Sequence, residues 1–385
     1  MVNLSAPTMM NPPRATPEGT AFYRDAHHER VAPGHFRPSS TGLIMSSIGL
    51  GTYMGDEDEV SDDLYGEAVE WAIRSGCNVI DAAINYRCQR SERVIGRALG
   101  SLIREGHVRR DQIVIATKGG FLPFDDHVPP DPQAYLHSAY VQSGVIAEGE
   151  LVAGCHCVAP SFLGNQLRRS LSNLGVDCID IYYLHNPETQ LQEISQDEFR
   201  GRMRAAFEFL EGQARDGLIG AYGIATWNGF RRTKRAHEYL SLAELVRIAE
   251  DLRGAEHRFR FAQLPYNLAM VEARTLRAQA VDGQRMSLLD AASSFGITVV
   301  ASASILQGRL IRLPADVAAA LPGLGSDVQR AIQFVRSTAG VTTALVGMKG
   351  RRHVEENLAV ARVPPDPAAV DGLLTRAGRA DSAVS

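Results

Sequence analysis

The stretch Cys77–Arg87, CNVIDAAINYR, decides how the rest of the chain reads. It begins as an apolar, β-branched run, places a carboxylate, Asp81, where that run gives out, and sets a phenol, Tyr86, in the loop beyond. In parallel α/β folds the chemistry collects at the carboxyl ends of the strands and in the loops that follow them. A strand ending on polar, proton-handling side chains is what such a fold predicts.

Seven other runs look alike: LIMSSIGLG (43–51), QIVIATK (112–118), CIDIYYLH (178–185), AYGIAT (221–226), FRFAQL (259–264), ITVVAS (297–302) and TTALVG (342–347). Several are apolar at consecutive positions rather than alternating, which suits parallel strands buried on both faces. Amphipathic segments fill the gaps. Leu163, Leu167, Leu171 and Leu174 recur at helical spacing, as do Phe199, Met203, Phe207, Leu210 and Ala214. A further helix reads as capped by Ser61, burying Leu64, Ala68 and Trp71 and stopping at Gly76. Eight strand–helix alternations predict a parallel sheet, and eight strands close a (β/α)8 TIM barrel. An open doubly wound sheet is the competing architecture.

In that frame Asp81 ends the second strand, Tyr86 follows it, Lys118 ends the third and His185 the fourth. A lone Asp or His at a strand end is more often structural. Four such groups on successive strands point to one site. A phenol beside an ammonium and a carboxylate is a proton donor under tuning, because the ammonium favours phenolate and so lowers the phenol's pKa. His185 can donate a hydrogen bond to a substrate oxygen. These are the parts needed to protonate an alkoxide as a carbonyl accepts hydride.

The motifs GLGTY (49–53), IDAAINY (80–86), SERVIGRAL (91–99), IATKGG (115–120), LRRSLSNLGVDCIDIYYLH (167–185), FAQLPYN (261–267) and EENLA (355–359) carry a wider resemblance. Over about residues 43 to 362 the chain resembles the aldo-keto reductases. The resemblance implies NADP(H), in preference to NAD(H), bound across the barrel mouth without a Rossmann fold. It implies a tetrad of Asp81, Tyr86, Lys118 and His185. It places Gly51, Thr52 and Tyr53 beside the nicotinamide, and Thr226, Gln263 and Ser302 around it. It assigns the adenosine and its 2′-phosphate to Gly347, Met348, Lys349, Arg351, Arg352, Glu356 and Asn357. Tyr53, Phe121 and Trp227 would line a substrate pocket. Where the family carries Ser-Asn after strand five this chain has Ala225-Thr226, and Ser302 replaces a stacking aromatic after strand seven. Trp227, Tyr266 or Phe121 would then supply the stacking. Gly49-Leu50-Gly51 does not continue into the G-x-G-x-x-G spacing of a dinucleotide turn, since position 54 is Met.

The expected function is NADP(H)-dependent reduction of an aldehyde or ketone, or the reverse, on a small-molecule carbonyl or alcohol. The alternative is a cofactor-binding regulatory subunit with little turnover. Residues 1–42, rich in Pro and His, read as a loosely ordered extension, and 363–385 as a tail with one short helix at 368–377. Residues 121–160 are long for a βα connection and read as a lid, with Phe124, Tyr135 and Tyr140 as apolar wall. Cys155-His156-Cys157 lacks metal-site spacing, so no metal is expected. A net charge of −4 speaks against nucleic acid. No run approaches the roughly 18 apolar residues of a membrane span, and the five cysteines and the first residues, with no signal-peptide pattern, suit a cytoplasmic protein.

Overall fold

A computed structural model describes residues 14–384. Eight parallel strands close on themselves: β1 (Ile48–Gly51), β2 (Val79–Asp81), β3 (Val114–Gly119), β4 (Ile179–His185), β5 (Ile219–Ala225), β6 (Phe259–Pro265), β7 (Thr298–Ser302) and β8 (Val341–Gly347). β8 pairs with β1, so no edge is left open. The open-sheet alternative is thereby excluded, and the fold is a (β/α)8 barrel.

The consecutive apolar positions behave as parallel strands require. All of Val114–Gly119 is buried, since barrel interior covers one face and helices the other. From the helix at Pro160–Leu174, Leu163, Leu167 and Leu174 are buried against the sheet; from that at Gln196–Arg215, Met203, Phe207 and Leu210 are. Each such side chain contributes roughly 1.5–3 kcal/mol on leaving water. The helix Glu59–Arg74 is capped by Asp58, not Ser61, because the Asp58 carboxylate accepts the Ser61 backbone N–H at 2.7 Å.

Strand register sets the rim. Gly347 pairs with Gly51 and Gly51 with Asp81; His185 pairs with Ala225 and Ala225 with Gln263. Residues read as site candidates thus stand level at the carboxyl end of the barrel.

The opposite end explains the extension. Up to residue 13 it lies outside the described residues, but beyond that it is built onto the barrel rather than loosely ordered. Thr16 caps a helix at Pro17–His27, with proline at the first position. Its approach is close: a Cβ on Gly19 would stand 2.3 Å from the Asp111 carbonyl oxygen. Asp180, buried at the start of β4, accepts from the Ala15 and Ile115 backbone N–H groups and pairs with Arg110 at 2.8 Å. An antiparallel pair, Phe36–Pro38 with Ile44–Ser46, closes the barrel floor, so the run 43–51 divides at Ser47. At the other terminus the helix runs over Pro367–Val384, longer than expected.

Residues 121–160 form their own apolar cluster. Leu122, Leu136, Tyr140, Ile146 and Cys157 pack with Phe162, and the Tyr140 hydroxyl donates to the Pro123 carbonyl at 2.9 Å.

Candidate active site

A cavity of about 520 Å³ opens at the carboxyl end of the barrel. Tyr86, His185 and Gln263 lie at its inner end; Gly347, Lys349 and His353 mark the other. Tyr53, Thr226, Trp227 and Ser302 also line it, so a groove joins residues from most of the strand ends.

Beneath Tyr86, the Lys118 ammonium donates to Asp81 Oδ1 at 2.5 Å and to the Ala82 carbonyl at 2.7 Å. It also lies 4.8 Å from the centroid of the Tyr86 ring. The second Asp81 oxygen accepts from Gln263 Nε2 at 2.8 Å. The His185 ring meets Tyr86 edge-on at 5.9 Å between centroids. Asp81, Tyr86, Lys118 and His185 are therefore neighbours in space.

Burial governs their protonation. Desolvation pushes the Asp81 carboxyl up and the adjacent ammonium pulls it back; Lys118 is held above the usual lysine value by Asp81 and Tyr86. With two donors on Asp81 at hydrogen-bond distance, the pair is ionised. Burial holds the His185 imidazole well below its ordinary value, helped by Lys118, so the ring is neutral. For Tyr86 the expectation of a lowered pKa is overturned. Desolvation outweighs the pull of Lys118, Asp81 opposes that pull, and the phenol is raised above its ordinary value.

Other expected residues divide. Thr52 is buried and its hydroxyl donates to the Asp81 carbonyl at 3.0 Å, which places it behind the rim beside Gly51 rather than in the cavity wall. The Thr226 hydroxyl donates to Glu188 Oε1 at 2.6 Å, so its proton is not free for a ligand. Phe121 is outside the wall of the cavity but packs edge-on to His185 at 5.1 Å. Tyr266 is buried against Phe334 and cannot stack on a ligand here. Trp227 does line the cavity.

At the β8 end, Met348 points into the core. The Arg351 guanidinium sits 3.7 Å from the centroid of the Trp71 ring and pairs with Glu355 at 2.6 Å, so it is already spent. Lys349, Arg352 and His353 share a cleft there with Glu67, whose carboxylate accepts the Arg351 backbone N–H at 3.2 Å. Glu356 accepts from Ser326 at 3.1 Å, and Asn357 is buried; neither reaches the cavity.

No residue of 121–160 lines the cavity, so Phe124, Tyr135 and Tyr140 are not its wall. That segment still touches the site through His156, whose Nε2 donates to the His185 carbonyl at 2.7 Å while Nδ1 accepts from Gln190 at 2.9 Å. Burial lowers this imidazole to about 4. Among the described residues no cluster of His, Cys, Asp and Glu could hold a metal ion. No described helix is long and apolar enough to cross a membrane.

The sequence reading missed Asn186 and the wall formed by Ala303, Ser304, Ile305, Gln307 and Gly308. The signal was available, since these positions directly follow strand ends.

The sequence profile of the Aldo/keto reductase family matches residues 47–372. The chain belongs to the aldo/keto reductase family. It is 27% identical over 158 residues to prostaglandin F synthase 1 of Bos taurus, covering 41% of this chain and 34% of that protein. It is 25% identical over 215 residues to aldo-keto reductase family 1 member C1 of Macaca fuscata fuscata, covering 53% and 52%. The match thus spans between a third and about half of those relatives' length. Among solved structures, aldo-keto reductase AKR11C1 from Bacillus halodurans in its holo form superposes with a TM-score of 0.60 at 18% identity, covering 88% of this chain and 95% of that one. An aldo/keto reductase from Klebsiella pneumoniae in complex with NADP and acetate gives 0.59 at 18%, covering 88% and 94%. At that identity the likeness speaks for the fold of this family member.

Proposed function

We propose that the chain reduces a neutral, largely apolar aldehyde or ketone to the alcohol, or oxidises the alcohol, with NADP(H) as hydride carrier and Tyr86 as the proton donor and acceptor. The observation that carries this reading is Lys118, which reaches Asp81 at 2.5 Å and lies 4.8 Å from the Tyr86 ring, beneath a cavity also lined by His185.

The residues suit such a carrier. Ser304 Oγ is buried at the cavity wall with no partner, a vacancy for a polar ligand atom. Gln263 reaches the same wall with one N–H committed to Asp81. Lys349 and His353 put basic groups at the far end, where a phosphate would be held, and the Klebsiella pneumoniae relative is described as a complex with NADP. The bound carrier supplies hydride to the carbonyl carbon. The chain's own residues handle the oxygen.

Because burial raises Tyr86, it is fully protonated at neutral pH and ready to donate. An alkoxide is far more basic than a phenolate, so the raised value does not block transfer. Once the proton has left, the buried ammonium of Lys118 balances the phenolate in a medium of low polarity, where the attraction exceeds its value in water. Neutral His185 orients the carbonyl oxygen by hydrogen bonding. Among the described residues no carboxylate lines the cavity, and Tyr53, Met54 and Trp227 stand exposed at its mouth, which favours apolar substrates over cationic ones.

Tyr86→Phe tests the reading. Turnover of an aromatic aldehyde panel should fall by roughly 100- to 10,000-fold, with NADPH affinity by fluorescence titration essentially retained. Preserved turnover refutes it.

A further inference from the structure

Three consecutive residues after Tyr86 adopt left-handed backbone, and none is glycine: Arg87 (φ 48°), Cys88 (φ 51°) and Gln89 (φ 71°). Side chains disfavour this region, so the surrounding structure must hold the turn in place. Arg87 is the obvious brace. It is buried, with Nε donating to the Asp56 carbonyl at 2.9 Å and Nη2 to Asp62 Oδ1 at 2.5 Å. Its guanidinium also lies 5.2 Å from the centroid of the Tyr65 ring, and the Tyr65 hydroxyl donates to the Met54 carbonyl. The Cys88 carbonyl and the Gln89 amide are tied separately to the segment at Phe124–Asp126.

These bonds link the turn bearing Tyr86 to the segment bearing Tyr53, whose ring packs against Tyr86 at 5.0 Å. We propose that Arg87 is a positioning residue: latched to Asp62 and the Asp56 carbonyl, it holds a strained turn that sets Tyr86 over Lys118 and beside the mouth of the cavity. The proposal rests on Tyr86 acting as proposed above. Arg87 touches no substrate and acts through the backbone it shares with Tyr86.

Two variants separate the latch from the strain. Arg87→Ala keeps a side chain that resists left-handed backbone and removes the guanidinium. Its kcat should fall by about 100-fold, the scale of a misplaced reacting group, with KM and NADPH affinity changed by no more than about threefold. Millimolar free guanidinium should restore part of kcat in this variant and leave the parent protein unaffected. Arg87→Gly accepts positive φ without strain and should recover most of the loss.

A kcat for Arg87→Ala within about threefold of the parent overturns the proposal. So does a loss that neither guanidinium nor glycine relieves, which would make Arg87 a residue of general stability. Tyr86→Phe run alongside tells the two failures apart. If it is inactive while Arg87→Ala is unimpaired, only the latch fails; if it turns over normally, the reading of the site falls and the latch with it.

Discussion

Lys118 lies beneath the inner end of the groove and Lys349 lines its outer end, in opposite surroundings. Lys118 is 1% exposed, bonded to a carboxylate and a carbonyl, and neighboured by a phenol. Lys349 is half-buried in an open cleft among Arg351, Arg352, His353 and two glutamates. Two unit charges 4 Å apart interact by about 1 kcal/mol in water and about 4 kcal/mol at a protein's effective dielectric. The inner charge therefore answers to its partner and to pH, the outer one to salt. A protonation device belongs at the dry end, and recognition of a solvated anion at the wet one.

Removing the inner charge should have the largest effect. Lys118→Met leaves Asp81 buried without its counter-ion, which costs about 3–5 kcal/mol when a buried pair is broken from one side. Turnover should fall to background as well. The pH dependence carries a sign. Burial raises the folded pKa of Asp81, and without Lys118 nothing but Gln263 opposes that rise. A group with a raised folded pKa favours the folded state fully below its unfolded value and loses that contribution as pH climbs. The variant's deficit should thus be small near pH 4, about the ordinary carboxylate value, and grow towards neutrality. Urea unfolding at both pH values checks it. A deficit independent of pH would show that Asp81 is not the partner that matters.

His156 offers a smaller test of the same dry end. Its Nε2 is the donor that satisfies the His185 carbonyl, while Asn186 next door holds left-handed backbone at φ 46°. His156→Leu should cost about 1–3 kcal/mol, the range for a buried group left without its partner. It should lower kcat while cofactor affinity stays close to the parent's. Because the ring titrates only near 4, the parent's activity should show no step from this residue above pH 5. Unchanged stability would mean that 121–160 is merely appended to the barrel.

How far the sequence reaches follows the same division between ends. Asp81, Lys118 and His185 were legible because parallel strands aim their carboxyl ends at one rim, so position along the chain implied position in space. Tyr86 came with them through the loop. The direction of its pKa did not, since the depth of burial that outweighs Lys118 is a property of packing. The left-handed turn at Arg87 carries no glycine to announce it. In 121–160, Leu136 and Tyr140 share a helical spacing, but Leu122, Ile146 and Cys157 follow no period with them and join them only in three dimensions. Thr16-Pro17 was a readable helix start, masked by the proline- and histidine-rich composition around it. The Arg351–Glu355 pair at i, i+4 was equally readable; the ring of Trp71 beneath it was not.

That last contact yields the smallest expected effect and bears most directly on the wet end. If Arg351 is held by Trp71 and Glu355, and Lys349 serves the phosphate, then the two cations should respond differently to deletion. Lys349→Ala should weaken NADPH binding by about tenfold at low salt, near 1.4 kcal/mol, and less as ionic strength shortens the reach of exposed charge. Arg351→Ala should change it by less than about threefold, because a guanidinium stacked on an indole must leave a favourable contact before it can meet an anion. NADH, which lacks the 2′-phosphate, should bind both variants almost as it binds the parent. Fluorescence titration at two salt concentrations reads all of this. Equal losses in the two variants would mean that Arg351 trades Trp71 for the phosphate on binding, and the outer end would then be a moving site rather than a preset one.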